Sequence, residues 1–159
     1  MNPNTDYVYN SIRESLKFVE TKHAGLLVVN SGLLFGIFTI YKEVNMLNNW
    51  LIIFPAIPFI ISIALSLYAF YPRFKRKKSK KPDINLFFAE GVAQQTPDKL
   101  KELINNENTV ENNLITWIHT TAKITAKKYR LFRRAVLGTI AGILVSVLYT
   151  LLCVICNIS

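Results

Sequence analysis

Three stretches of this chain carry no charged side chain: Ala24 to Tyr41 over 18 residues, Leu47 to Pro72 over 26 and Ala135 to Ser159 over 25. Backbone N–H and C=O groups find no water in hydrocarbon, so a chain crosses it as a helix or as a closed barrel. The hydrocarbon core is about 30 Å thick, and roughly 20 apolar helical residues span it. The three stretches therefore predict transmembrane helices at about 24–41, 50–71 and 135–156. Hydrophobic residues make up 51% of the sequence, a fraction that water-soluble domains also reach, but here they come in blocks. Twenty-three mostly polar residues precede the first block, unlike the short layout of a cleaved signal peptide, so the first span is expected to stay in the mature protein.

Charge then orients the spans. Seven of the ten residues from Pro72 to Lys81 are Lys or Arg, directly after the second block. Arg13, Lys17 and Lys22 precede the first span, and Lys123, Lys127, Lys128, Arg130, Arg133 and Arg134 precede the third. The loop Lys42 to Asn49 has one Lys and one Glu. Cytoplasmic loops hold the excess of Lys and Arg. The N-terminus and residues 72–134 are thus expected inside and the C-terminus outside, periplasmic for a bacterial inner membrane. Nearly all of the +9 net charge then faces one leaflet, where anionic lipid attracts it by about 1 kcal/mol per basic residue. Membrane lipid is the partner this predicts. Nucleic acid is not, because apart from Phe74 the basic run has no interleaved aromatic side chain.

The polar segments are patterned. Val8, Ile12, Leu16 and Val19 form one apolar stripe on a helix expected to run unbroken into the first span. Residues 84–95, "INLFFAEGVAQQ", read as a short helix. Thr96 followed by Pro97 reads as the capped start of another. Asn108 with Glu111 resembles a further start. From there Leu114, Trp117, Ile118, Thr121, Ala122, Thr125, Tyr129 and Phe132 keep one face, with no Gly or Pro before Arg134. One long helix should continue into the third span. The expected fold is an all-α membrane protein with three transmembrane helices and a small cytoplasmic helical bundle made of helix extensions and short helices. Its parts are a cytoplasmic helix over 1–23, two spans within 24–71, a cytoplasmic region over 72–134 and a third span within 135–159.

Catalytic patterns are missing: no Gly-rich phosphate loop, no His and Glu paired on a helix, no nucleophile beside a base. His23 at the membrane boundary and His119 on the long helix are expected in solvated or capping roles. Cys153 and Cys156 have half the spacing of a zinc site and nothing to complete it, so they read as small apolar filler. The sequence thus predicts no enzyme, no metal and no cofactor. Within the spans Asn30 is the best candidate for an interhelical hydrogen bond, because an unpaired amide in hydrocarbon is costly. Gly32 and Gly36 lie beside it. Gly138, Gly142, Ser146 and Thr150 form a small-residue ridge at spacing four, which lets helices approach closely. The ridge fits packing within one subunit and packing between subunits equally well. Three thin spans with few polar faces do not enclose a water path, so any membrane lesion calls for a homo-oligomer.

The order of these features resembles a known family, the transmembrane effectors of Pycsar, the bacterial pyrimidine cyclase system of antiphage defence. "FVETKHAGLLVVNSGLLFG" is similar to its first-helix motif of an acid, a Lys two residues on, an apolar run and an Asn in the membrane, here Glu20, Lys22 and Asn30. Pro72, Arg73, Asn85, Phe87 and Phe88 match its Pro-Arg exit from the second helix and its Asn-x-Phe-Phe segment. Lys128 and Tyr129 match its Lys-Tyr pair ahead of the last helix. His23, where a small residue is expected, and the dense basic run 75–81 depart from the pattern. The resemblance implies an effector that senses a cyclic pyrimidine nucleotide, cUMP or cCMP, supplied as second messenger by a partner cyclase. It then impairs the inner membrane and aborts infection. A cyclic mononucleotide presents one phosphate and one flat base, which call for a fixed cation and an aromatic or apolar platform. Arg73 and Lys128 are the candidate cations, with Asn85, Phe87 and Phe88 on the segment between. The alternatives are a non-catalytic anchor or scaffold that holds anionic lipid or a partner protein through its basic face, and a small transporter subunit. The latter would need more ionisable residues inside the spans.

Overall fold

The computed structural model describes residues 3–43, 53–71, 86–87, 89–93 and 95–158. These are almost wholly helical, with no strand among them. Five helices follow in order: α1 Pro3–Glu43, α2 Ile53–Phe70, α3 Ala89–Ala93, α4 Pro97–Asn105 and α5 Glu107–Ile158. Three of them, α1, α2 and α5, are long and apolar enough to cross a membrane. At 1.5 Å per residue α2 is about 27 Å long, close to the thickness it must cross. The basic run 73–81, with Arg73, lies outside the described residues, as do Asn85, Phe88 and the side chains of Cys153 and Cys156.

The helix that carries the stripe from Val8 does continue unbroken into the first apolar stretch, since α1 holds 41 residues with no Gly or Pro between Pro3 and Gly25. Asp6 in its first turn and Lys42 in its last suit the helix dipole. The expected helix over 84–95 is shorter: a turn at Leu86–Phe87 and one helical stretch, Ala89–Ala93, are what the described residues contain. Thr96 precedes α4 in extended conformation, but its side chain makes no capping bond. Pro97 at the first turn and the Thr96 carbonyl, which accepts the Leu100 N–H at 2.9 Å, start the helix instead. The start of α5 also differs from expectation. Asn106, not Asn108, is the cap: its Oδ1 accepts the Thr109 N–H at 3.1 Å. Because Asn106 is itself extended, the same residue ends α4 and opens α5.

Contacts divide the chain into two units. The extramembrane unit is Met1–Phe18 with Pro72–Lys127, and the membrane unit is Val19–Tyr71 with Lys128–Ser159. In the first, Tyr9 of α1 stacks obliquely on Trp117 of α5 at 4.7 Å and on Phe87 at 6.1 Å, and Leu114 is fully buried. In the second, α1 and α5 run parallel and α2 returns between the same ends. Asn30 meets Ser62 and Thr139, His23 meets Phe70 and Lys128, and Tyr41 meets Tyr149. The unit boundaries fall at 18/19 and 127/128, one to two turns before the uncharged stretches begin. Glu20 and Lys128, just ahead of those stretches, pair with each other.

Candidate functional site

The membrane unit holds its polar groups in two layers. The outer layer sits just ahead of the uncharged stretch of α1. Lys128 Nζ donates to Glu20 Oε1, joining α5 to α1. His23, one turn further along α1, is completely buried, which corrects the expectation of a solvated role. Its Nε2 lies 3.1 Å from the Lys128 carbonyl oxygen. A carbonyl only accepts, so Nε2 carries the hydrogen and Nδ1 presents a bare lone pair. That Nδ1 has no partner. Phe132 and Phe70 meet the imidazole edge-on at 5.4 and 6.2 Å, and the Lys22 ammonium lies 5.7 Å from the Phe132 ring centre. Burial lowers the His23 pKa below its ordinary 6.5, the bond to the Lys128 carbonyl opposes this, and the Lys128 charge adds to it. The ring is therefore held neutral, and a proton arriving on it would place a second cation beside Lys128.

The inner layer joins all three spans. Asn30 Nδ2 donates to the Leu26 carbonyl and to Ser62 Oγ, both at 2.9 Å. The carbonyl partner fixes which end of the amide is nitrogen. Thr139 Oγ1 donates to Asn30 Oδ1 at 2.9 Å, and Ser62 Oγ donates to the Ala135 carbonyl at 2.7 Å with Thr139 Oγ1 3.0 Å away. Every hydrogen of the amide and both hydroxyls has an acceptor, and the three side chains are 0–6% exposed. Such closure is what hydrocarbon demands of polar side chains. One turn along α2, Ser66 is as deeply buried and its Oγ has no partner.

Beyond this layer α2 sits directly on the ridge of α5. A Cβ built on Gly138 would lie 3.3 Å from the Pro58 carbonyl and 3.4 Å from Ser62 Cβ. On Gly142 it would lie 2.7 Å from the Phe59 ring, which is itself fully buried. These two glycines therefore meet α2 of the same chain. Ser146 and Thr150 bond back to carbonyls of their own helix, the Gly142 and Ser146 oxygens. Gly32 and Gly36 would meet nothing within 4 Å.

Of the candidate ligand residues, the described two fall in different units. Phe87 is part of the aromatic cluster with Tyr9, and Lys128 is paired with Glu20. Sequence reasoning missed Ser62, Ser66, Thr139 and the buried state of His23. Ser62 and Ser66 had a signal, a polar pair at spacing four in an otherwise apolar span, which puts both on one helix face. Among the described residues no three His, Cys, Asp or Glu side chains group to hold a metal ion. The arrangement is suited to joining helices and to coupling charge at the membrane boundary.

No curated protein and no solved structure matches the chain. The family model of the Pycsar effector protein domain matches residues 4–155, which reaches into all five helices and covers nearly the whole sequence. The chain belongs to the Pycsar effector family, as an effector with transmembrane helices.

Proposed function

We infer that this protein is the membrane-acting arm of a Pycsar defence system: it senses a cyclic pyrimidine nucleotide, cUMP or cCMP, and impairs the inner membrane so that infection aborts. The observation that carries this reading is the family match over residues 4–155, on a chain with three helices able to span a bilayer. The protein acts without catalysis in this reading, as a homo-oligomer, with its basic segments on the cytoplasmic leaflet and its C-terminus in the periplasm. The ligand is taken up on the cytoplasmic side by residues among Arg73, Asn85, Phe87, Phe88 and Lys128. The Glu20–Lys128 pair is the natural relay, because a phosphate that draws on the Lys128 ammonium competes with the carboxylate that ties α5 to α1.

The test is direct. Purified protein in vesicles carrying a potassium gradient should depolarise on addition of cUMP or cCMP and hold its potential with cAMP. In cells, co-expression with a pyrimidine cyclase should make phage infection end in membrane depolarisation and loss of the culture before phage release. A chain that keeps the membrane tight with both pyrimidine nucleotides would remove the reading. Arg73→Ala and Asn85→Ala should each weaken the response to nucleotide, and unchanged affinity in both would move the site elsewhere.

A further inference from the structure

The outer surface of the membrane unit offers water almost nothing to follow. Val28, Val29, Phe35, Ile57, Ile60, Ile61, Leu144 and Leu148 are among the side chains that face outward from its helices. Of the outward hydroxyls, Thr39, Ser146 and Thr150 each donate to a carbonyl of their own helix four residues back, and Ser31 of α1 is exposed. The polar groups that bond between helices lie on the opposite, inward face. Asn30, Ser62, Ser66 and Thr139 are all at least nine-tenths buried, and they come from all three spans. A lumen made by several copies in their present conformation would thus be walled mostly by aliphatic and aromatic side chains, which disfavour water.

We propose that the water path of the active protein is lined by this buried face, with Asn30 of α1, Ser62 and Ser66 of α2 and Thr139 of α5 turned to a lumen shared between copies when α2 leaves its seat on Gly138 and Gly142. The inference rests on the membrane-permeabilising reading above. Three observations carry it. The inward polar residues already lie at successive levels: Ser62 meets Asn30 and Thr139, and Ser66 stands one turn further along the same face of α2. Ser66 Oγ is a hydroxyl with no partner in the closed arrangement, a group that gains hydrogen bonds only on contact with water or a new neighbour. α2 seats its Pro58 carbonyl and Phe59 ring on two glycines and is held besides by the hydrogen bonds of Ser62, and it contributes no charged residue to hold it there. Hydroxyls and an amide make a neutral lining, so the path passes water and small ions of both signs with little preference.

Single-cysteine variants test this in vesicles of anionic phospholipid, in a chain with Cys153→Ala and Cys156→Ala. Ser62→Cys, Ser66→Cys and Thr139→Cys should resist a charged methanethiosulfonate reagent in the resting protein. With cUMP or cCMP present they should react more than about tenfold faster, and the attached charge should reduce the leak. Val28→Cys and Leu144→Cys, which face outward, should stay unreactive in both conditions. A leak with all three inward cysteines unreactive overturns the lining while leaving the permeabilising reading intact. No leak with either nucleotide overturns that reading, and a nucleotide-independent arm then decides the lining. Asn30→Asp replaces a donor with a carboxylate facing the Leu26 carbonyl and Ser62 Oγ, so it should open the seam unaided and label Ser62→Cys. Thr139→Asp serves the same purpose should Asn30→Asp not fold. Vesicles that stay tight with both variants, or that leak without labelling, refute the proposal.

Discussion

The extramembrane unit shows charge to its surroundings and gathers Tyr9, Trp117 and Leu114 within, whereas the membrane unit shows apolar side chains outward and joins its helices at a polar centre. In the former, Arg13, Glu14, Lys17, Lys99, Lys101, Glu102, Glu111 and Lys123 are exposed, and Leu114 and the Tyr9–Trp117 contact lie within. In the latter, Val28 and Phe35 are exposed and an amide with two hydroxyls forms the node that joins the helices. The solvent explains the inversion. In water, removing apolar surface contributes roughly 25 cal/mol per Å², which suffices to gather an aromatic cluster. In lipid that gain vanishes between helices, and close contact at small residues and interhelical hydrogen bonds are left to hold them. The same kind of substitution should therefore have opposite consequences in the two units.

The largest effect is expected from inserting polarity where water drives folding. Leu114→Asn removes a fully buried aliphatic side chain and leaves an amide without an assigned partner, at a cost of about 4 kcal/mol. Denaturation followed by Trp117 fluorescence should show it. A loss below about 1 kcal/mol would mean that the extramembrane unit is not held by apolar burial.

Close approach is the next test. Gly142→Leu places a branched side chain where a Cβ alone lies 2.7 Å from the Phe59 ring, and about 3 kcal/mol is expected, the upper part of the usual range for overpacking. Gly32→Leu meets open space and should change stability by only tenths. Thermal unfolding in detergent micelles compares the two. Equal effects would show that the seat of α2 does not depend on the Gly142 contact.

A smaller effect distinguishes a hydrogen-bonded node from an apolar contact. Asn30→Ala should cost about 2 kcal/mol, because Thr139 Oγ1 and Ser62 Oγ each lose a partner. The triple change Asn30→Leu, Ser62→Ala, Thr139→Val removes the stranded groups together and should be milder than the single one. A triple variant that is three times as destabilised would show that the node acts by shape and not by mutual satisfaction.

The smallest effect is the dependence on pH. The folded protein holds His23 with a lowered pKa, so the unfolded chain binds more protons just below pH 6.5. The contribution of neutral His23 is thus complete above that value and declines as the pH falls towards the lowered one. The slope cannot exceed about 1.4 kcal/mol per pH unit for a single proton. His23→Phe should remove this slope between pH 7 and 5, and a slope that survives it would assign the effect to other groups.

The three helices of membrane-spanning length and the all-α class were legible in the residues themselves. An uncharged run of span length leaves the backbone no other way to satisfy its hydrogen bonds in hydrocarbon, whatever its neighbours are. Asn30 was legible as an interhelical donor for the same reason. The start of α5 at Asn106 was not, since Asn106 and Asn108 both offer a capping oxygen and only the backbone path selects one. Nor was the burial of His23, which lies a single residue outside the uncharged stretch. Whether that position faces solvent depends on Phe70 and Phe132 closing over it from two other helices.

The sequence by itself determined which three helices are long and apolar enough to cross a membrane, because that follows from the free energy of transferring each residue. It left open which faces meet. The ridge Gly138–Gly142 was equally suited to a second copy or to the same chain, and only the tertiary structure seats Pro58, Phe59 and Ser62 upon it. In lipid an apolar face gains nothing by choosing one apolar neighbour over another. The choice rests on contacts at 3 Å and on which donor finds which acceptor, and these exist only once Asn30, Ser62 and Thr139 have come together from residues 32 and 109 positions apart.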